Sequence, residues 1–91
     1  MIRLRGVPLS DDEASELAAW LRANGDAGGV DLAARIERAL VVGSGMLATD
    51  RAQALAVLAA LDDWRPDSAR LFELAQGLRA FVAERPPRRA A

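Results

Sequence analysis

The sequence predicts a mainly α-helical domain, in which a short N-terminal β-strand precedes a small four-helix bundle. Apolar residues recur at helical spacing in four successive segments, which is the first sign of this fold class. Polar capping residues precede these segments, and glycine or proline follows most of them. Only the first nine residues alternate apolar and polar side chains as a strand does.

The N-terminal strand is predicted from Ile2 and Leu4, which alternate with Arg3 and Arg5. Nearby glycine and proline residues limit the usable ladder to these residues. A lone strand leaves backbone groups unpaired, and no second strand is evident in the sequence. We therefore expect the strand either to lie along the bundle or to pair with a second copy, most simply in a two-fold homodimer.

The first helix is predicted to begin at the capping box Ser10–Glu13. Its inner face repeats at positions i, i+3, i+4 and i+7, and Trp20 borders that face. Asn24 and Gly25 form a stop signal, with Gly25 suited to the left-handed position after the helix.

The second helix is expected over Val30–Val42, with Leu32 and Ile36 on its inner stripe. Residues Asp26–Gly29 form either a loop or a frayed helix start capped by Asp26. The glycines at the start of Gly43–Ala48 interrupt the chain again.

The third helix is predicted to start at a Thr49 cap and to end near Leu61 or Asp63. Residues Ala54–Leu61 are apolar on every side, which predicts a central helix surrounded by neighbours. Pro66 ends this segment.

The fourth helix is predicted to start at Asp67 or Ser68 and to continue to about Ala83. The domain therefore spans residues 1–84. Residues 85–91 are rich in proline and arginine, and we expect them to form a disordered tail.

Composition argues against several classes of chemistry. The 91 residues include neither cysteine nor histidine, so disulfides, thiolate metal sites and the usual general base are excluded. We therefore predict a protein that is not an enzyme and has no cofactor and no metal. The longest apolar run is too short to span a bilayer, and the N-terminus does not resemble a signal peptide. We expect no membrane association and a cytoplasmic location.

Two apparent motifs have simpler explanations. Residues Gly43–Ala48 fit the dinucleotide pattern G-x-G-x-x-A, with Asp62 and Asp63 roughly 20 residues further on. The chain leaves too few residues for the parallel sheet which that site requires, so an interhelical loop is favoured. The acidic run Asp11–Glu13 would not converge on a metal, and helix capping accounts for it.

The N-terminal half resembles the ribbon-helix-helix family of DNA-binding regulators and antitoxins. The features that carry the resemblance are Ile2–Arg5, the Leu9-Ser10 start of the first helix, the Asn24-Gly25 stop, and Ile36–Leu40 late in the second helix. The resemblance implies an intermolecular two-stranded ribbon in the major groove of DNA. It would place Arg3 and Arg5 against bases, and Ile2 and Leu4 in the dimer core.

The function predicted from the sequence is a non-enzymatic protein–protein interaction, accessory or regulatory module that self-associates through its N-terminal strand. The alternative is a ribbon-helix-helix-like DNA binder that uses Arg3 and Arg5. Another protein is a further candidate partner, and nucleic acid is a less favoured one. The candidate interface residues are Ile2, Arg3, Leu4, Arg5, Trp20 and Trp64.

Overall fold

A computed structural model describes residues 2–84 and confirms the mainly helical fold with short N-terminal strands. The elements are, in chain order, β1 (Ile2–Leu4), β2 (Val7–Leu9), α1 (Asp11–Asn24), α2 (Ala27–Val42), β3 (Gly45–Leu47), α3 (Arg51–Trp64) and α4 (Ala69–Ala83). The tail predicted at residues 85–91 lies outside the described part of the chain.

The strands form a three-stranded sheet in the order β2-β1-β3. β1 pairs with β2 in antiparallel fashion and with β3 in parallel fashion, with Arg3 opposite Pro8 on one side and Met46 on the other. The expectation that the N-terminal strand lacks a partner in its own chain was therefore wrong. Both edges of β1 are already paired, so it has no free edge for the intermolecular ribbon that the family resemblance implies.

The turn between β1 and β2 explains why the pairing of these two strands was not predicted from the sequence. Leu4 lies opposite Val7, so only Arg5 and Gly6 connect the strands. Both have positive φ angles, 48° and 81°, as a tight hairpin with the right-handed strand twist requires. Gly6 thus reverses the chain instead of ending the ladder. Pro8 is tolerated because β2 is an edge strand.

The second missed strand, β3, lies within the glycine-rich segment that was predicted to be a loop. Gly43, with φ of 95°, ends α2 in the left-handed conformation, and the chain then turns beside β1. A Cβ atom on Gly45 would lie 3.0 Å from the Cβ of Ala39. Glycine at this position therefore lets β3 pass closely over the last turns of α2.

The helix starts follow local capping rules, and one of them lies one residue later than predicted. Ser10 forms the predicted capping box of α1, and Asp26 caps α2, so the alternative of a capped start at Asp26 is confirmed. α3 is capped by Asp50 and not by Thr49, because Asp50 and Gln53 form a reciprocal capping box of their own. Ser68 caps α4.

The core lies between the four helices and the inner face of the sheet. α3 contacts each of the other three helices, as expected for the central helix. However, its apolar run is not buried on every side, because Leu55 and Ala59 face solvent. The sheet contributes Ile2, Leu4 and Leu9 to the core, where they pack with leucines of the helices.

Candidate functional site

The predicted interface residues occupy three different environments. Ile2 and Leu4 are 1% and 0% exposed within their own chain, so their assignment to a dimer core was wrong. They face inward because strand side chains alternate, and the inner face of the sheet covers the helices. Trp20 and Trp64 are half-buried against the core.

The two arginines of the N-terminal hairpin are exposed. Arg3 is the register partner of Met46, so the two residues lie side by side on the outer face of the sheet. The guanidinium of Arg5 lies 4.0 Å from the centre of the Phe81 ring, a cation–π contact with α4. This contact and the hairpin turn hold Arg5 in place beside the sheet.

Exposed aliphatic residues cluster near this sheet, and none of them was among the interface residues predicted from the sequence. Val41 and Val42 at the end of α2 are 89% and 72% exposed, and Met46 at the centre of β3 is 83% exposed. Scattered apolar residues are normal on protein surfaces, but three within six positions of the chain are more informative. The available signal was the Val41-Val42 pair directly before a helix-ending glycine.

Two open grooves flank β3 and share Leu47. One, of about 410 Å³, lies beside the hairpin turn and Met46. The other, of about 250 Å³, lies between α2 and β3. We call the combined region the β3-edge surface, and its principal residues are Arg3, Arg5, Arg35, Arg38, Val42, Met46 and Leu47.

The β3-edge surface carries positive charge alone. Among the described residues, four arginines line its two grooves, and neither groove is lined by an aspartate or a glutamate. The whole chain has a net charge of −1, so this distribution is local. Arg35 donates to the backbone carbonyl of Ala48 at 3.3 Å. Within residues 2–84, Arg3 and Arg38 form no ion pair. Their charges are therefore available to a partner.

A second charged region surrounds Glu13, where α1 and α4 begin. The Ser10 backbone N–H donates to the Glu13 carboxylate at 2.9 Å, and the Ser68 hydroxyl donates to its other oxygen. Arg70 approaches to 3.7 Å. These contacts, led by the Ser10 N–H, lower the pKa of Glu13 below its ordinary value of 4.5. We call this region the Glu13 junction; it ties two helix starts together.

The described residues hold no group of three or more acidic, cysteine or histidine side chains placed to bind a metal ion. The glycine pattern at Gly43–Ala48 follows the end of α2 instead of a strand, so the arrangement needed for a dinucleotide does not form there. No described helix is both long and apolar enough to cross a bilayer.

No family model matches the chain, and no curated protein and no solved structure is significantly similar to it.

Proposed function

We propose that this protein is a non-enzymatic protein-interaction module and that the β3-edge surface is its binding site. The single observation that carries the proposal is the exposure of Val42 and Met46 at 72% and 83% beside four arginines. Burying such aliphatic side chains in a complex is favourable, and the arginines supply orientation and specificity.

The protein scaffold suits this role because it holds the surface on ordered elements. β3 is paired with the central strand β1, whose inner residues are anchored in the core. Val42 lies in the last turn of α2, directly before the helix-ending Gly43. A preorganised surface loses little conformational freedom on binding, which favours affinity.

Self-association remains a prediction, but it would involve a surface other than the edge of β1. A second copy would have to use the outer edge of β3 or another surface, because β1 is paired on both sides. DNA binding through Arg3 and Arg5 also remains a prediction, without the intermolecular ribbon.

Selection from a displayed library of random peptides tests the proposed site. We expect the wild-type chain to enrich peptides whose binding is lost in a Val42→Ser, Met46→Ser double variant. Phe72→Ser is the matched control, because Phe72 on α4 is 63% exposed but lies outside the β3-edge surface. Circular dichroism should show that all three proteins remain folded, since each change is on the surface.

Light scattering over a range of concentrations accompanies the selection. A dimer that the double variant dissolves would also support an interaction module, one that recognises its own chain. If no peptide is enriched and no such dimer forms, or if the control weakens binding as much as the double variant, the proposed site is wrong.

A further inference from the structure

The outer edge of β3 is the part of the surface where a bound segment would make backbone contacts. The Arg5 N–H donates to the Leu47 carbonyl at 2.9 Å, so the backbone groups of Leu47 face β1. Because backbone groups alternate along a strand, the N–H and C=O of Met46 face away from β1. The Ala48 carbonyl, two residues later, agrees with this direction, since it accepts from Arg35 of α2.

Each side of this edge offers arginine and apolar side chains together. On the outer face of the sheet, Met46 lies beside Arg3, with Arg5 at the end of the same groove. On the other side, Leu47 and Val42 line the groove next to α2 together with two arginines of that helix. An extended segment beside β3 presents alternate side chains to these two sides, so a segment with both acidic and aliphatic residues on each side fits best.

The charge of the surface then specifies the polar residues of that segment. Four arginines, with no carboxylate of residues 2–84 among them, favour acidic side chains, which arginine binds through paired hydrogen bonds. A two-fold dimer through this surface would instead bring four arginines of each copy together. Like charges placed face to face oppose association, so a second copy is the poorer occupant.

We propose that the β3-edge surface binds an extended acidic segment of another protein, in which pairs of acidic residues alternate with pairs of aliphatic ones, so that each side of the segment carries both. This inference rests on the proposed function and names its partner class. The backbone of Met46 receives the segment, Arg3 and Arg38 contact its carboxylates, and Val42 and Leu47 contact its aliphatic side chains.

A protein segment fits the surface better than nucleic acid does. Proteins that hold single strands stack bases on aromatic side chains, and no aromatic residue in the described part of the chain lines either groove. Binding of duplex DNA depends mainly on charge, and exposed Val42 and Met46 add nothing to phosphate contacts. Aliphatic side chains on a partner would cover both residues.

Fluorescence anisotropy with two labelled peptides tests the proposal on the full chain. In one peptide pairs of glutamate alternate with pairs of valine; in the other lysine replaces each glutamate. We expect micromolar binding of the acidic peptide only, weakening as salt is added. The Arg3→Gln, Arg38→Gln double variant should bind about tenfold more weakly. Arg79→Gln, on α4 outside the surface, is the matched control and should bind like wild type.

Four outcomes would overturn the proposal. They are equal binding of both peptides, no binding of the acidic peptide at about 1 mM, an equal loss in the Arg79→Gln control, and preferential binding to random duplex DNA or to anionic vesicles. If the library selection meanwhile enriches peptides that are not acidic and that require Val42 and Met46, the interaction module stands and only the acidic partner is wrong.

Discussion

The Glu13 junction and the β3-edge surface are both rich in charge, but they use it in opposite ways. At the junction, the Glu13 carboxylate accepts hydrogen bonds from Ser10 and Ser68 and lies near the Arg70 guanidinium. Its negative charge is therefore compensated within the chain. At the β3 edge, the described lining residues include four arginines and no carboxylate.

This difference separates charges that support folding from charges that remain available for binding. A satisfied carboxylate at two helix starts stabilises the native state, because its hydrogen bonds are lost on unfolding. An exposed arginine without an ionic partner adds little to folding, so replacing it costs little. The exposed aliphatic residues beside those arginines strengthen the contrast, since nothing in residues 2–84 covers them well.

The largest expected effect on the free energy of unfolding comes from a buried side chain that anchors the sheet, and with it the β3-edge surface, to the core. Leu4 is fully buried under the sheet, so Leu4→Ala should lower the free energy of unfolding by about 3 kcal/mol. Met46→Ala, on the exposed face of the neighbouring strand, should change it by less than about 0.5 kcal/mol. Urea unfolding followed by circular dichroism compares the two. Equal losses would mean that Met46 is part of the core.

The hairpin turn should show a smaller effect. Gly6 has a φ of 81° with no atom near the position of a Cβ, so Gly6→Ala meets backbone strain alone and should cost about 1 kcal/mol. Gly77 lies exposed within α4, where Gly77→Ala should stabilise by about 0.5 kcal/mol. Thermal unfolding should show a lower melting temperature for Gly6→Ala and a higher one for Gly77→Ala. A stabilising Gly6→Ala would contradict the left-handed conformation of Gly6 in the turn.

The Glu13 junction should make stability depend on pH. Because its pKa is lowered in the folded chain, the folded state binds the proton more weakly than the unfolded state does. The stabilisation is complete above about pH 4.5 and is lost as the pH falls through the lowered folded value. Glu13→Gln should therefore cost about 1 kcal/mol at pH 7 and progressively less in acid.

Urea titrations at several pH values measure this dependence. Glu16→Gln is the matched control, because Glu16 is exposed on the same helix and should show little loss at any pH. If Glu13→Gln lowers the free energy of unfolding by the same amount at every pH, including the most acidic, the carboxylate charge does not stabilise the junction.

The smallest effect on stability is expected at the β3-edge surface itself. Replacing both Arg3 and Arg38 with glutamine should change the free energy of unfolding by less than about 0.5 kcal/mol, because neither charge has an ionic partner among the described residues. Thermal unfolding measures this directly. A loss of stability comparable to that of Glu13→Gln would show that the arginines of the β3-edge surface support folding as the Glu13 junction does.

The helices were predictable because their signals are local. The capping box at Ser10 and the stop at Gly25 each depend on residues within a few positions, and both form as expected. The shift of the third cap from Thr49 to Asp50 has the same local origin, because only Asp50 has a glutamine at the position needed for a reciprocal bond. Thr49 is instead buried.

The sheet and the candidate site were harder to predict because they depend on contacts distant in sequence. The hairpin had a local signal, two short alternating runs separated by Arg5 and Gly6, which was interpreted as a weakened strand. β3 had almost none, since three residues after a glycine pair become a strand only beside β1. Of the β3-edge surface, only Arg3 and Arg5 were predicted; their neighbours Val42 and Met46 come from that distant pairing.

The parallel contact between β1 and β3 also imposes an order on folding. The hairpin of β1 and β2 closes over two residues, so it can form as soon as that part of the chain is free. The β1–β3 ladder closes a loop that contains all of α1 and α2, so it must await their assembly. During synthesis on the ribosome, β1 would therefore be made well before the segment that completes its pairing in the sheet. Until then, the hairpin with β2 would be the strand pairing that β1 has.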